Sequence, residues 1–231
     1  MEIIRADSRG AFTNDWLDSR HSFSFGDYQN PQRVNFSSLR VINEDWVAAK
    51  GGFPTHGHRD MEIVTYVMAG ALSHQDSLGN GSTIRPGDVQ RMSAGSGILH
   101  SEFNHSETEA VHLLQIWLFP TVTGIQPGYA QEHFPLEQRR GKLQLLVSAD
   151  GHDGSLLMNT NANLYASLLA AGEQVTYLRP ENRVLYVHVA RGSLQVNGTA
   201  LQAGDALQIR EETELMFSTA DSAEFLLFDL P

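Results

Sequence analysis

Short apolar runs recur along the chain, each closed by Gly, Asn or Pro. They cover residues 38–43, 62–68, 89–92, 111–119, 143–148, 164–170, 184–190, 201–209 and 225–230. Runs of this length and spacing, with few long stretches at helical period, predict strands and an all-β sandwich or barrel. Asn80-Gly81 and Asn197-Gly198 fall between such runs. They mark hairpin turns, because a tight hairpin needs residues that accept φ > 0.

The two hairpins belong to an internal repeat. Val67-Met68-Ala69-Gly70-Ala71-Leu72 is followed by Arg85-Pro86-Gly87-Asp88-Val89-Gln90. In the second half, Val189-Ala190-Arg191-Gly192-Ser193-Leu194 is followed by Gln202-Ala203-Gly204-Asp205-Ala206-Leu207. Each copy reads strand, glycine turn, hairpin, then a Gly-Asp turn into the next strand. The second copy is shorter within its hairpin. A repeat on this scale predicts two similar β-domains, residues 1–130 and 131–231. The Gly-, Pro- and charge-rich stretch 124–141 reads as their connection.

Composition narrows the function classes. The chain has 231 residues and no cysteine, so disulfides, Cys-ligated metal and thiol nucleophiles are excluded. The formal net charge is −11, and only Lys50 and Lys142 among the 16 basic residues are lysine. The one tight basic cluster, Arg139-Arg140-Gly141-Lys142, is no stripe able to displace counterions, so direct nucleic-acid binding is not expected. Residues 1–16 hold no apolar signal region, and no apolar run approaches the ~18 residues that span a bilayer. The expected location is cytoplasmic, with no membrane partner.

Candidate chemistry centres on four side chains. His56 and His58 are one residue apart, and on a strand i and i+2 share a face. His100 and Glu102 repeat the spacing. Two adjacent strands, each offering such a pair, can surround one ion. Three imidazoles and a carboxylate suit Fe(II), Mn, Ni, Cu or Zn. Four protein ligands leave two positions open in six-coordinate geometry, a catalytic arrangement. One His-x-His alone is weak evidence; two pairs beside glycine turns in one β-domain are stronger. His21, His74, His105, His112, His133, His152 and His188 lack ligand spacing and read as packing or surface. Phe23, Phe25, Phe36 and Phe53 read as core. Phe53 and Phe103 flank ligands and are the candidates for touching a substrate. Gly95-Ser96-Gly97 reads as a turn, not a phosphate loop.

His56-Gly57-His58-Arg59-Asp60-Met61-Glu62 with Gly70 resembles the first motif of the cupin superfamily, and Gly97-Ile98-Leu99-His100 with Asn104 the second. Residues 21–28, 52–58, 92–102 and 113–117 more specifically resemble the pirin family of quercetin 2,3-dioxygenase-like proteins. The resemblance covers roughly residues 10–130 in specific motifs and the rest mainly in layout. It implies a bicupin, two jelly-roll-like barrels, with one divalent ion per chain, Fe(II) before Cu, Ni, Mn or Zn. It implies His56, His58, His100 and Glu102 as ligands. Glu62, a ligand in many cupins, is assigned to orienting a ligand instead.

The resemblance also implies an activity: O2-dependent opening of a flavonol heterocycle with loss of carbon monoxide. Glu102, on loosening from the metal, would be the base for the flavonol 3-hydroxyl. The rival it implies is a redox-responsive regulatory protein whose metal tunes a surface for a protein partner. A cupin isomerase or hydrolase is a third option. Gapless alignment at the anchor glycines puts Leu178 and Pro180 at the positions of His56 and His58. Val184 falls at Glu62, and Phe217 and Thr219 fall at His100 and Glu102. The second domain is therefore expected to lack a metal site and to fill that space with apolar volume.

Overall fold

The computed structural model describes residues 1–231. The chain forms twenty-one strands and three short 3-10 turns, and no helix is long and apolar enough to cross a membrane. It divides into two compact units. One is Gly10–Phe134 with Met158–Thr160; the other is Met1–Arg9, Pro135–Leu157 and Asn161–Pro231.

The first unit holds a seven-stranded antiparallel sheet. Its order is Gly128–His133, Asp88–Ser93, Glu62–Ala69, Val111–Leu118, Leu39–Val47, Leu17–His21 and Gly10–Thr13. A four-stranded sheet, Gly52–His58, Ile98–Asn104, Leu72–Asp76 and Gly81–Ile84, packs over it. Val47, Val67, Val111 and Leu113 of the larger sheet meet Leu72 and Ile84 of the smaller. Each such side chain contributes about 1.5–3 kcal/mol by leaving water. The strand Glu62–Ala69 is buried at seven of its eight positions, which is why its sequence is nearly continuous rather than alternating.

The second unit is built on a ten-stranded sheet. Leu185, Val187, Val189, Val196, Leu207, Phe217, Phe225 and Leu227 form its core, with Phe217 and Phe225 stacked at 4.9 Å. Its first strand, Glu2–Ile4, pairs with Ala206–Ile209.

The repeat is visible in the backbone. Gly70 and Gly192 have φ of 76° and 74°. A Cβ at Gly70 would stand 2.8 Å from the Ala110 carbonyl oxygen, and one at Gly192 would stand 2.0 Å from that of Ser222. Gly70 directly follows the strand Glu62–Ala69 and Gly192 lies within the strand Val184–Val196, and at both the positive φ and the close backbone admit only glycine. Asn197 and Gly198 both have positive φ and form the two-residue turn that the dipeptide predicts. The first hairpin differs. Its positive-φ residue is Gly79, and Gly81 already begins the next strand. The Asp76 carboxylate organises that longer loop, accepting hydrogen bonds from the Leu78 and Asn80 amides.

Two other expectations need correction. The run 201–209 is two strands, Thr199–Gln202 and Ala206–Ile209, because the Gly204-Asp205 turn breaks it. The stretch 124–141 is more than a connection: Gly128–His133 pairs with Asp88–Ser93 as an edge strand.

Candidate metal centre and cavity

Strands Gly52–His58 and Ile98–Asn104 are antiparallel neighbours, with His56 opposite His100 and His58 opposite Ile98. Glu102 faces Phe53, so the first strand carries one extra residue at Pro54-Thr55. Such a bulge re-aims side chains. Proline is tolerated there because no ladder hydrogen bond is required of it. The ring centroids of His56, His58 and His100 lie 4.4 to 4.8 Å apart. Their ligand nitrogens fall within 4.8 Å of one another.

The nitrogens are prepared for an ion. His56 donates from Nδ1 to the Pro54 carbonyl at 2.8 Å, which leaves a lone pair on Nε2. His100 Nε2 is buried and has no hydrogen-bond partner; an enclosed nitrogen of this kind is satisfied by a metal. Burial, reinforced by the charge of His56, pushes His58 down to about 4. Burial, then His56, His58 and His74, pushes His100 down to about 3. Both rings are therefore neutral near pH 7, the state that binds metal. This donor set fits a divalent transition-metal ion.

Glu102 is buried beside this cluster, and its carboxylate forms a second ligand-capable group with His74 and His100. Gln115 donates to its Oε2 at 2.8 Å, and the Thr65 hydroxyl lies 3.4 Å from its Oε1. Gln90 donates to Thr65 at 3.0 Å, so the carboxylate is held from the seven-stranded sheet. Burial raises its pKa to about 7, against the lowering effect of these hydrogen bonds.

His74 is the histidine that spacing missed. It is buried, stacked on Tyr129 at 4.9 Å, with Nδ1 3.5 Å from His100 Nδ1 and Nε2 3.3 Å from Asp76. Its signal was the same-face spacing of His74 and Asp76 on one strand. His105, His112 and His133 have ordinary partners, Ser73, Glu44 and Asp88, in keeping with a packing role.

A cavity of about 420 Å³ opens on His56, His58 and Glu102. Phe12, Phe25, Tyr28, Phe53 and Trp117 line it, with a polar wall of Ser19, His21, Asn43 and Asp45. Trp117 meets His58 edge-on at 4.8 Å and Phe25 at 5.4 Å. Phe53 lines the cavity as expected for a substrate contact. Phe103 does not, because odd positions of its strand face away from His100 and Glu102; it is 41% exposed. Phe23 and Phe36 are core, whereas Phe25 belongs to the cavity. His21 also faces it, which its sequence position gave no reason to expect.

Glu62 is placed differently from its expectation. It is buried and accepts a hydrogen bond from Ser93 at 2.7 Å. It lies on the opposite face of its strand from Thr65, the residue that reaches Glu102. The turn at residues 59–61, with Asp60 at φ 48°, separates two strands of different sheets, so parity counted from His58 does not carry across it.

In the second unit, Val175 pairs with Phe217 and Tyr177 with Leu215, as His56 pairs with His100 and His58 with Ile98. Val175 and Tyr177, not Leu178 and Pro180, therefore occupy the two histidine positions. His58 precedes Gly70 by 12 residues and Tyr177 precedes Gly192 by 15; that longer connection displaced the gapless alignment. Leu178 is 71% exposed and fills no interior. Phe217 is core, and Thr219 donates to the Ser193 carbonyl at 2.7 Å.

An all-β fold with imidazoles paired across adjacent strands above an aromatic cavity is of the cupin type. Residues 4–118 match the Pirin family, and residues 145–230 match the quercetinase C-terminal cupin domain. The chain belongs to the pirin family. It is 44% identical over 229 residues to quercetin 2,3-dioxygenase of Escherichia coli strain K12, spanning 99% of this chain and 98% of that one. A pirin-like protein of Caulobacter vibrioides is 41% identical over 224 residues, 96% of each chain. The crystal structure of bacterial pirin YhhW from Escherichia coli in complex with nickel(II) superposes with a TM-score of 0.95 at 42% identity. That match covers 100% of this chain and 98% of the other.

Proposed function

We propose that this protein is a metal-dependent dioxygenase that opens the heterocycle of a flavonol, the reaction named for its Escherichia coli relative. His56, His58, His100 and Glu102 hold one divalent ion, iron(II) before nickel, copper, manganese or zinc. On this reading the chain is a bicupin whose halves are the two compact units, not the 1–130 and 131–231 division expected from the sequence, with the ion in the unit Gly10–Phe134 alone.

The observation that carries the proposal is the cavity. Its volume of about 420 Å³ lies within the range of about 300–1,000 Å³ for small-molecule sites, and it opens directly on three of the four proposed ligands. A regulatory protein whose metal tunes a docking surface needs no such chamber, so the lining favours turnover.

When bound, the ion supplies Lewis acidity toward a coordinating hydroxyl and a redox centre for O2. The chain's own residues do the rest. Phe25, Tyr28, Phe53 and Trp117 offer flat faces and edges that orient a planar ring system and exclude water. Glu102, on loosening from the ion, takes the proton of the substrate 3-hydroxyl. Gln115 and Thr65 keep its two oxygens oriented throughout.

The test is ring opening of quercetin by protein refilled with metal. His56→Ala and Glu102→Ala each abolish it. A fully metallated wild type that is inert on every flavonol transfers the reading to the regulatory class.

A further inference from the structure

One wall of the cavity is polar where the others are aromatic. Asn43 and Asp45 alternate onto the same face of Leu39–Val47, and His21 and Ser19 stand directly opposite them on Leu17–His21. Asp45 is only 4% exposed. Its Oδ1 accepts a short hydrogen bond from the Ser19 hydroxyl, and its Oδ2 makes none within the chain. Asn43, equally buried, has an amide oxygen with no partner.

Leaving a carboxylate half-satisfied and an amide unsatisfied inside an aromatic chamber costs stability. A purely structural link between the two strands needs neither group: a hydroxyl pair or an apolar pair closes the same ladder. Neither Asp45 nor Asn43 belongs to the clustered ligand groups. They are therefore placed for something that enters the cavity. Their Cα atoms are roughly 7 Å apart along the strand, so the two side chains stand side by side on one wall of the cavity. A carboxylate needs a donor, so the complement is a hydroxyl. Asp45 and Asp27, which line the cavity outside the clustered ligand groups, disfavour a ring that enters with these hydroxyls already ionised.

We propose that Asp45, held by Ser19 and flanked by the unbonded amide oxygen of Asn43, is a specificity-determining acceptor for a ring hydroxyl. The site then takes neutral polyhydroxylated aromatics and discriminates against counterparts whose hydroxyls are absent or methylated. This rests on the aromatic-substrate reading and adds which flavonols are taken.

The test is equilibrium binding to the metal-loaded protein without oxygen. Quercetin is compared with galangin, which lacks both hydroxyls of the pendant ring. Wild type binds quercetin about tenfold or more tightly than galangin, as one charge-assisted hydrogen bond allows. Asp45→Ala brings the ratio close to one by weakening quercetin alone, with metal content unchanged. Asp45→Asn, which keeps the shape and a bond to Ser19, retains part of it and serves if the alanine variant does not fold. A wild type with no preference, or a preference undiminished in either folded variant, overturns the proposal. If no flavonol binds, the flavonol reading falls, and resorcinol against 1,3-dimethoxybenzene decides this one. Preference for resorcinol that depends on Asp45 upholds it, and equal binding overturns it.

Discussion

Asp45 and Glu102 are two buried carboxyls whose burial lifts each to about 7. For Asp45 the Ser19 hydrogen bond opposes the shift, while Glu102 and Glu44 add to it. A folded-state value above the unfolded 3.8 means that stability is fullest below about pH 4 and falls as pH rises through about 7. Roughly three units correspond to at most about 4 kcal/mol in the metal-free protein. Asp45→Asn, which cannot ionise, melts above wild type at pH 8, and that advantage disappears by pH 4. Melting temperatures across this range check it; a difference independent of pH contradicts it. At this scale the four proposed ligands were legible, because i/i+2 spacing carries across any strand. Asp45 was not. It sits in Asn43-Glu44-Asp45, which reads as an exposed polar run until Leu39–Val47 is placed inside the sheet. Glu62, assigned through the family resemblance to orienting a ligand, instead accepts from Ser93, because it lies across a turn from His58, on a strand of the other sheet.

Hairpins and registers govern the next level. The strand Leu72–Asp76 brings His74 and Asp76 behind His100. With His100 Nε2 turned to the cluster, its Nδ1–H faces His74 Nδ1, and His74 Nε2–H faces Asp76. This chain fixes the ring that carries the metal-facing nitrogen. Asp76→Asn is expected to weaken metal binding by about tenfold or more, measured by chelator competition; unchanged affinity removes His74 and Asp76 from the account. The sequence repeat was legible in Gly70 and Gly192, whose backbone approach admits no side chain. What it concealed was the three-residue difference between His58–Gly70 and Tyr177–Gly192, visible only in the strand register.

For the whole molecule, the apolar pattern gave the all-β class and most strands, since periodicity reports burial directly. It did not disclose that residues 1–9 fold with the second unit. That placement depends on the long-range pairing of Glu2–Ile4 and on Asp205, which accepts from Arg5 at 2.6 Å and from the Ala6 amide at 2.8 Å. Nor did composition announce the cavity, whose lining comes from six separate strands and the segment 25–28.

One ion per chain is the expected metal content, since after residue 152 the only histidine is His188. The most direct test of the account is oxygen uptake with carbon monoxide release on quercetin, on protein whose metal has been quantified. The account predicts that wild type holding one ion consumes oxygen and releases carbon monoxide in equal amounts, and that Glu102→Ala does neither. Wild type holding its ion at His56, His58 and His100 and consuming no oxygen with any flavonol would contradict it.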